Sequence, residues 1–160
     1  ACMLQNRCRF FLMLLLLTSG LTACATYMSM EIFIDNGDAV KIGLDIVDGE
    51  RLSFEDIENN SFSIRKGETE LMSGLFFVNG EFDEYIAKVL SYEGVFLIEA
   101  APEHDPSFYC FEFPGESGTE YGFLRKIEGC GLSSVVLFSN DLPYQEANAI
   151  FQRLHFDKID

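Results

Sequence analysis

Between residues 30 and 50 the chain alternates apolar and polar positions. Ile32 and Ile34 form one short series, and Val40, Ile42, Leu44 and Ile46 form a second. An extended chain puts every other side chain on one face, so each series predicts a strand with a single apolar side. Asn36-Gly37 separates the two and Asp48-Gly49 closes the second, which predicts an N-terminal β-hairpin. Residues 53–58, SFEDIE, open with a Ser-x-x-Asp pattern of capping-box type and predict one or two helical turns. Residues 61–65 and 70–78 read as two further strands, the second ending at Asn79-Gly80.

The spacing then changes from two to between three and four. Phe82, Tyr85, Ile86, Val89 and Leu90 share one helical face, with Asp83, Glu84 and Lys88 elsewhere. Four strand candidates follow, GVFLIEA, SFYCFEF, EYGFLRKIE and LSSVVLFS, separated by residues 102–106, by PGESG at 114–118 and by GCG at 129–131. Short connections favour antiparallel neighbours. A second amphipathic helix is expected from about Pro143, with Tyr144, Ala147, Ile150, Phe151 and Leu154 on one stripe and His155 near its end. SFYCFEF is aromatic on both faces, Phe108 on one and Tyr109, Phe111 and Phe113 on the other, which argues for a sheet covered on both sides. The fold class expected is α+β: a meandering antiparallel sheet with two main amphipathic helices packed on it, plus the N-terminal β-hairpin.

The first 30 residues follow another logic. No acidic residue precedes Glu31, whereas Arg7 and Arg9 precede the run FFLMLLLL and the small and polar residues Thr18, Ser19 and Gly20. A cationic start, a short apolar run and a small-residue segment make an export signal, with Met3 as the expected initiator. The closing Leu21-Thr22-Ala23-Cys24 resembles the lipobox of bacterial lipoprotein signal peptides, and that resemblance implies cleavage before Cys24 and acylation of its sulfur. The domains expected are a signal peptide over 1–23, a tether over 24–29 and one globular domain over 30–160. The alternative is an uncleaved membrane anchor over 10–30, which is free of charge but diluted by Thr18, Ser19, Gly20, Thr22 and Thr26. Either way the body of the protein lies on the extracytoplasmic face of a membrane, in the cell envelope.

Charge sharpens this picture. The whole chain is at −15, and residues 24–160 hold all 26 acidic side chains and nine of the 11 basic ones, giving −17. Such a surface excludes a nucleic-acid binder and favours a cationic partner, whose encounter it accelerates.

Residues 62–156 carry a weak resemblance to the PsbP/DcrB-like domain of bacterial envelope lipoproteins. It rests on FSIRKG, GEFDEYIAKVL, YGFLRKIEGCGLSSVVLFS and PYQEANAIFQRLHF, in the order strand, strand, helix, four strands and closing helix. The resemblance implies a non-enzymatic binding or accessory module. The N-terminal hairpin is additional to it.

Chemistry-bearing residues are few. Cys24 is the expected lipidation site, joining the chain to the bilayer through acyl chains. Cys110 and Cys130 are expected to be unpaired, because pairing of SFYCFEF with EYGFLRKIE sets Cys110 across from about Leu124, and Cys130 lies six residues farther on. At ~3.3 Å per residue that is roughly 20 Å, against the ~7 Å limit for a bridge. His104, with Glu103 and Asp105, is the one local His and carboxylate group, and it supports the alternative of a small envelope hydrolase. Acidic loops suggest a further alternative, a cation-binding domain, although none matches a Ca²⁺-loop pattern. No metal site and no cofactor are expected.

Overall fold

The structure, a computed structural model, describes residues 26–33, 38–47, 49–56, 61–98, 107–138 and 142–159. It is mostly antiparallel β-sheet with two short helices, and so broadly α+β. The strands are β1 (Thr26–Phe33), β2 (Ala39–Ile46), β3 (Glu50–Asp56), β4 (Ser61–Lys66) and β5 (Thr69–Val78), then helix α1 (Phe82–Leu90) after a 3₁₀ turn (Asn79–Glu81). β6 (Phe96–Leu97), β7 (Phe108–Pro114), β8 (Thr119–Lys126) and β9 (Leu132–Phe138) follow, and α2 (Tyr144–Gln152) and β10 (Leu154–Lys158) close the chain.

Two sheets form. Seven strands run in the order β3-β4-β5-β9-β8-β7-β6, and three in the order β1-β2-β10. Adjacent strands β6 to β9 are sequential, whereas β5 meets β9 only after the chain has passed through α1 and three strands.

Residue parity in the seven-stranded sheet explains its layers. Phe123 and Val136 point into a large core shared with Phe62, Ile64, Met72, Phe138, the α2 residues Ala147, Ile150 and Phe151, and Val40, Ile42 and Leu44 of the smaller sheet. Their immediate chain neighbours Leu124 and Val135 point the other way, into a second cluster with Phe82 and Ile86 of α1 and with Phe111. That is why β9 is apolar at consecutive positions. Where β9 is covered on both faces, at Val135 and Val136, it has no solvent side to mark with polar residues.

Two turns need glycine. Gly49 and Gly67 have φ of 75° and 60°, a left-handed conformation without steric cost only for a residue lacking Cβ. Asn79 ties another turn across the sheet: its side-chain amide donates to the Cys130 carbonyl at 3.1 Å, and its side-chain carbonyl accepts from the Ser133 hydroxyl at 2.5 Å.

Several expectations are corrected. Residues 53–56 are strand, not helix, because Leu52 and Phe54 sit opposite Ile64 and Phe62 and their burial outweighs a helix-start pattern. The C-terminal helix stops at Gln152. Leu154, expected on its stripe, is the first residue of β10 and pairs with Leu44. GVFLIEA contributes only Phe96 and Leu97 as strand. Cys110 faces Phe123, and it is Tyr109 that faces Leu124, a shift of one residue from the expected register. Thr26 to Ser29, expected in the tether, lie within β1, which pairs with β2 from Thr26↔Ile46 to Phe33↔Ala39. The turn expected at Asn36-Gly37 lies outside the described residues.

Candidate binding surfaces

Cys24, Glu103, His104 and Asp105 all lie outside the described residues. The other histidine is displaced from its expected position. His155 sits in β10 rather than at a helix end, opposite Gly43, with its Nε2 3.0 Å from an Asp45 carboxylate oxygen. Tyr27 completes this group, its ring centroid 6.4 Å from that of His155 and 6.0 Å from Lys41 Nζ. The absence of a side chain at Gly43 lets the Tyr27 ring lie across the strand. The arrangement occupies an open sheet face with about half of each His155 and Asp45 side chain in solvent. It can hold Tyr27 in place, but it supplies neither a concave site nor a nucleophile against the imidazole.

A more enclosed feature lies beside α1. The helix covers Phe111, Leu124 and Val135 but leaves Leu75 and Leu137 uncovered, 38% and 43% exposed. They line a groove of about 180 Å³ with Ser61, Ser73, Gly74, Val135 and Tyr85. Tyr85 stacks on Phe77 at 4.8 Å, and burial, helped by Tyr92, raises its phenol above the ordinary range, so at neutral pH it presents a neutral hydroxyl. Tyr85 also borders an adjoining hollow of about 210 Å³ lined by Glu81, Glu84 and Lys88. The groove is thus apolar along the sheet and acidic along the helix, where Glu81, Asp83 and Glu84 are exposed and Lys88 is the single cation of α1.

Sequence reasoning places Leu75 and Leu137 in strands but does not single them out. Nothing local to either residue tells how far a nine-residue helix will reach across a seven-stranded sheet.

Two further cavities lie elsewhere. One of about 280 Å³ is bordered by Glu50, Lys66, Leu71, Glu146 and Arg153, and its charged wall is occupied by the ion pair of Arg153 with Glu50. The other, about 330 Å³, lies between Arg125, Glu128 and Phe156.

Both described cysteines are free thiols. Cys110 is buried in the main core, where desolvation, with a smaller contribution from Glu112, pushes its thiol up to about 12. Such a thiol is a packing group and not a nucleophile at neutral pH. Cys130, partly exposed, lies 3.8 Å from the Ile127 carbonyl. Among the described residues no group of three or more His, Cys, Asp or Glu side chains could hold a metal ion, and no helix is long and apolar enough to cross a membrane. Comparison of the chain with protein-family models, with curated proteins and with solved structures found no match.

Proposed function

We propose that the chain is an exported lipoprotein, held to a membrane through Cys24, whose folded domain works by binding a cationic, partly apolar protein segment. The observation that carries this reading is the exposure of Leu75 and Leu137 beside the acidic exposed side of α1. A segment with alternating apolar and basic residues would bury the two leucines while its cations meet Glu81 and Glu84. The net charge of −17 on residues 24–160 speeds its approach. The tether follows from LTAC placed directly after the apolar run.

Fluorescence anisotropy with a labelled Lys- and Leu-rich amphipathic peptide tests the binding half. Affinity is expected to fall steeply between about 50 and 300 mM salt, to weaken about tenfold when Glu81 and Glu84 are changed to Lys, and to be lost in Leu137→Asp. Binding that ignores salt, or that survives Leu137→Asp, overturns it. Metabolic labelling with a palmitate analogue in a bacterial host tests the tether. Label is expected on the wild-type chain and not on Cys24→Ser, and an unlabelled wild-type chain would remove the lipoprotein reading.

A further inference from the structure

On the opposite face of the seven-stranded sheet from α1, Arg125 is a cation without a carboxylate. Its guanidinium lies 5.9 Å from the ring centroid of Phe108 and 5.5 Å from that of Phe151. Among the described residues it makes no ion pair and no side-chain hydrogen bond. In a chain with 26 acidic and 11 basic side chains, pairing would be the easy outcome for an arginine. Here two aromatic faces hold it instead, in the manner of a cation stacked on π-systems, and its forked donors remain unused.

Those donors border the 330 Å³ cavity, whose lining of Ser107, Arg125, Lys126, Ile127, Glu128 and Phe156 is mostly polar. The ammonium of Lys126 is turned away, 4.6 Å from the Phe82 ring on the α1 side. Lys158 lies close to Gly129, the residue after Glu128, where a Cβ would stand 3.9 Å from its Cδ. A second, independent feature stands next to Arg125. Ser134 is its cross-strand partner, so the two side chains leave the sheet on the same face. Ser134 is fully buried and its hydroxyl has no hydrogen-bond partner. Buried hydroxyls are nearly always bonded, so the orphan on the neighbouring strand marks a second polar group left unsatisfied on this face of the sheet, although Ser134 itself does not line the cavity.

We propose that this cavity binds a small oxyanion, a carboxylate or a phosphate group, with Arg125 as its bidentate anchor. A planar guanidinium matches two oxygens of either group. Glu128, exposed on the rim, opposes an anion and sets a limit on the charge the site accepts. The site is separate from the groove beside α1 and stands or falls independently of it.

The test is a titration of the full chain, purified in detergent, with sodium phosphate and separately with sodium acetate at constant ionic strength, read by thermal shift and by amide NMR shifts over residues 122–128. A saturable response to one of the two is expected, and which one identifies the ligand group. Arg125→Lys should weaken it about tenfold, because an ammonium cannot offer the fork. Glu128→Gln, a change on an exposed side chain, should strengthen it. No saturable response to either anion, equal response in wild type and Arg125→Lys, or an unchanged response in Glu128→Gln would overturn the proposal.

Discussion

Arg153 closes on Glu50 with both terminal nitrogens, Nη1 at 2.6 Å from one carboxylate oxygen and Nη2 at 2.9 Å from the other. Nη1 also donates to the Asp45 carbonyl at 2.6 Å, and the Asp45 amide returns a bond to the Arg153 carbonyl at 3.2 Å. The last turn of α2 is thereby fastened to the end of β2 and the start of β3, where the two sheets meet. Because the Glu50 side chain is only 6% exposed, removing its partner leaves a charge that water cannot reach.

Arg153→Met is therefore expected to cost about 3 kcal/mol. Glu70→Ala, which breaks the partly exposed 3.4 Å pair with Arg65, should cost under about 1 kcal/mol. Urea denaturation of the two variants checks the ranking, and equal midpoints would mean that the buried pair contributes no more than a surface one.

Two glycines make a sharper contrast. A Cβ on Gly74 would stand 2.5 Å from the ring of Phe62, which is fully buried and packed against Phe76 and Phe156. Gly74→Ala should cost about 1–3 kcal/mol, because that ring has nowhere to move. The three atoms nearest a Cβ on Gly43 all belong to Tyr27, whose half-exposed ring can swing into water, so Gly43→Ala should cost less than about 1 kcal/mol. Melting temperatures of the two variants decide it.

Phe151 links α2 to the large sheet, stacked on Phe123 with centroids 4.5 Å apart and close to Phe108 at 5.6 Å. Phe151→Ala should lose about 3–5 kcal/mol, measured by the same denaturation, and a loss below about 1 kcal/mol would show that α2 is not anchored there.

The raised Cys110 thiol gives a pH dependence. The unfolded chain loses this proton near the ordinary thiol value of 9.0 while the folded chain keeps it up to about 12. Between these values the unfolded state binds fewer protons, so the Cys110 contribution to stability, intact below pH 9, falls as pH rises, by at most about 1.4 kcal/mol per pH unit. Denaturation at pH 8 and pH 10.5 should show a larger loss for wild type than for Cys110→Ala, and parallel losses would contradict the assignment.

Native alkylation with iodoacetamide, read peptide by peptide in a mass spectrometer, should label Cys130 well before Cys110, which reacts only on unfolding. Early labelling of Cys110 would place it outside the core.

The sequence by itself determined the elements whose pattern is local. Phe82, Ile86 and Val89 recur at helical spacing, and Val40, Ile42 and Leu44 alternate, because helix and strand geometry repeat within a few residues and need no knowledge of a partner. The rest depended on residues far along the chain. The expected helix over 53–58 gave way because Phe54 finds Phe62 across a sheet. Leu154 and Phe156 form a strand because Leu44 and Ile42, more than 100 residues earlier, offer an unpaired edge. The expected sites at Cys24 and His104 lie outside the described residues, while the groove at Leu75 and Leu137 and the orphaned pair of Arg125 and Ser134 emerge only when β5, β8 and β9 are side by side. Exposure, ion pairing and unsatisfied hydrogen bonds are properties of neighbours in space, and a one-dimensional pattern carries them only where those neighbours are also close along the chain.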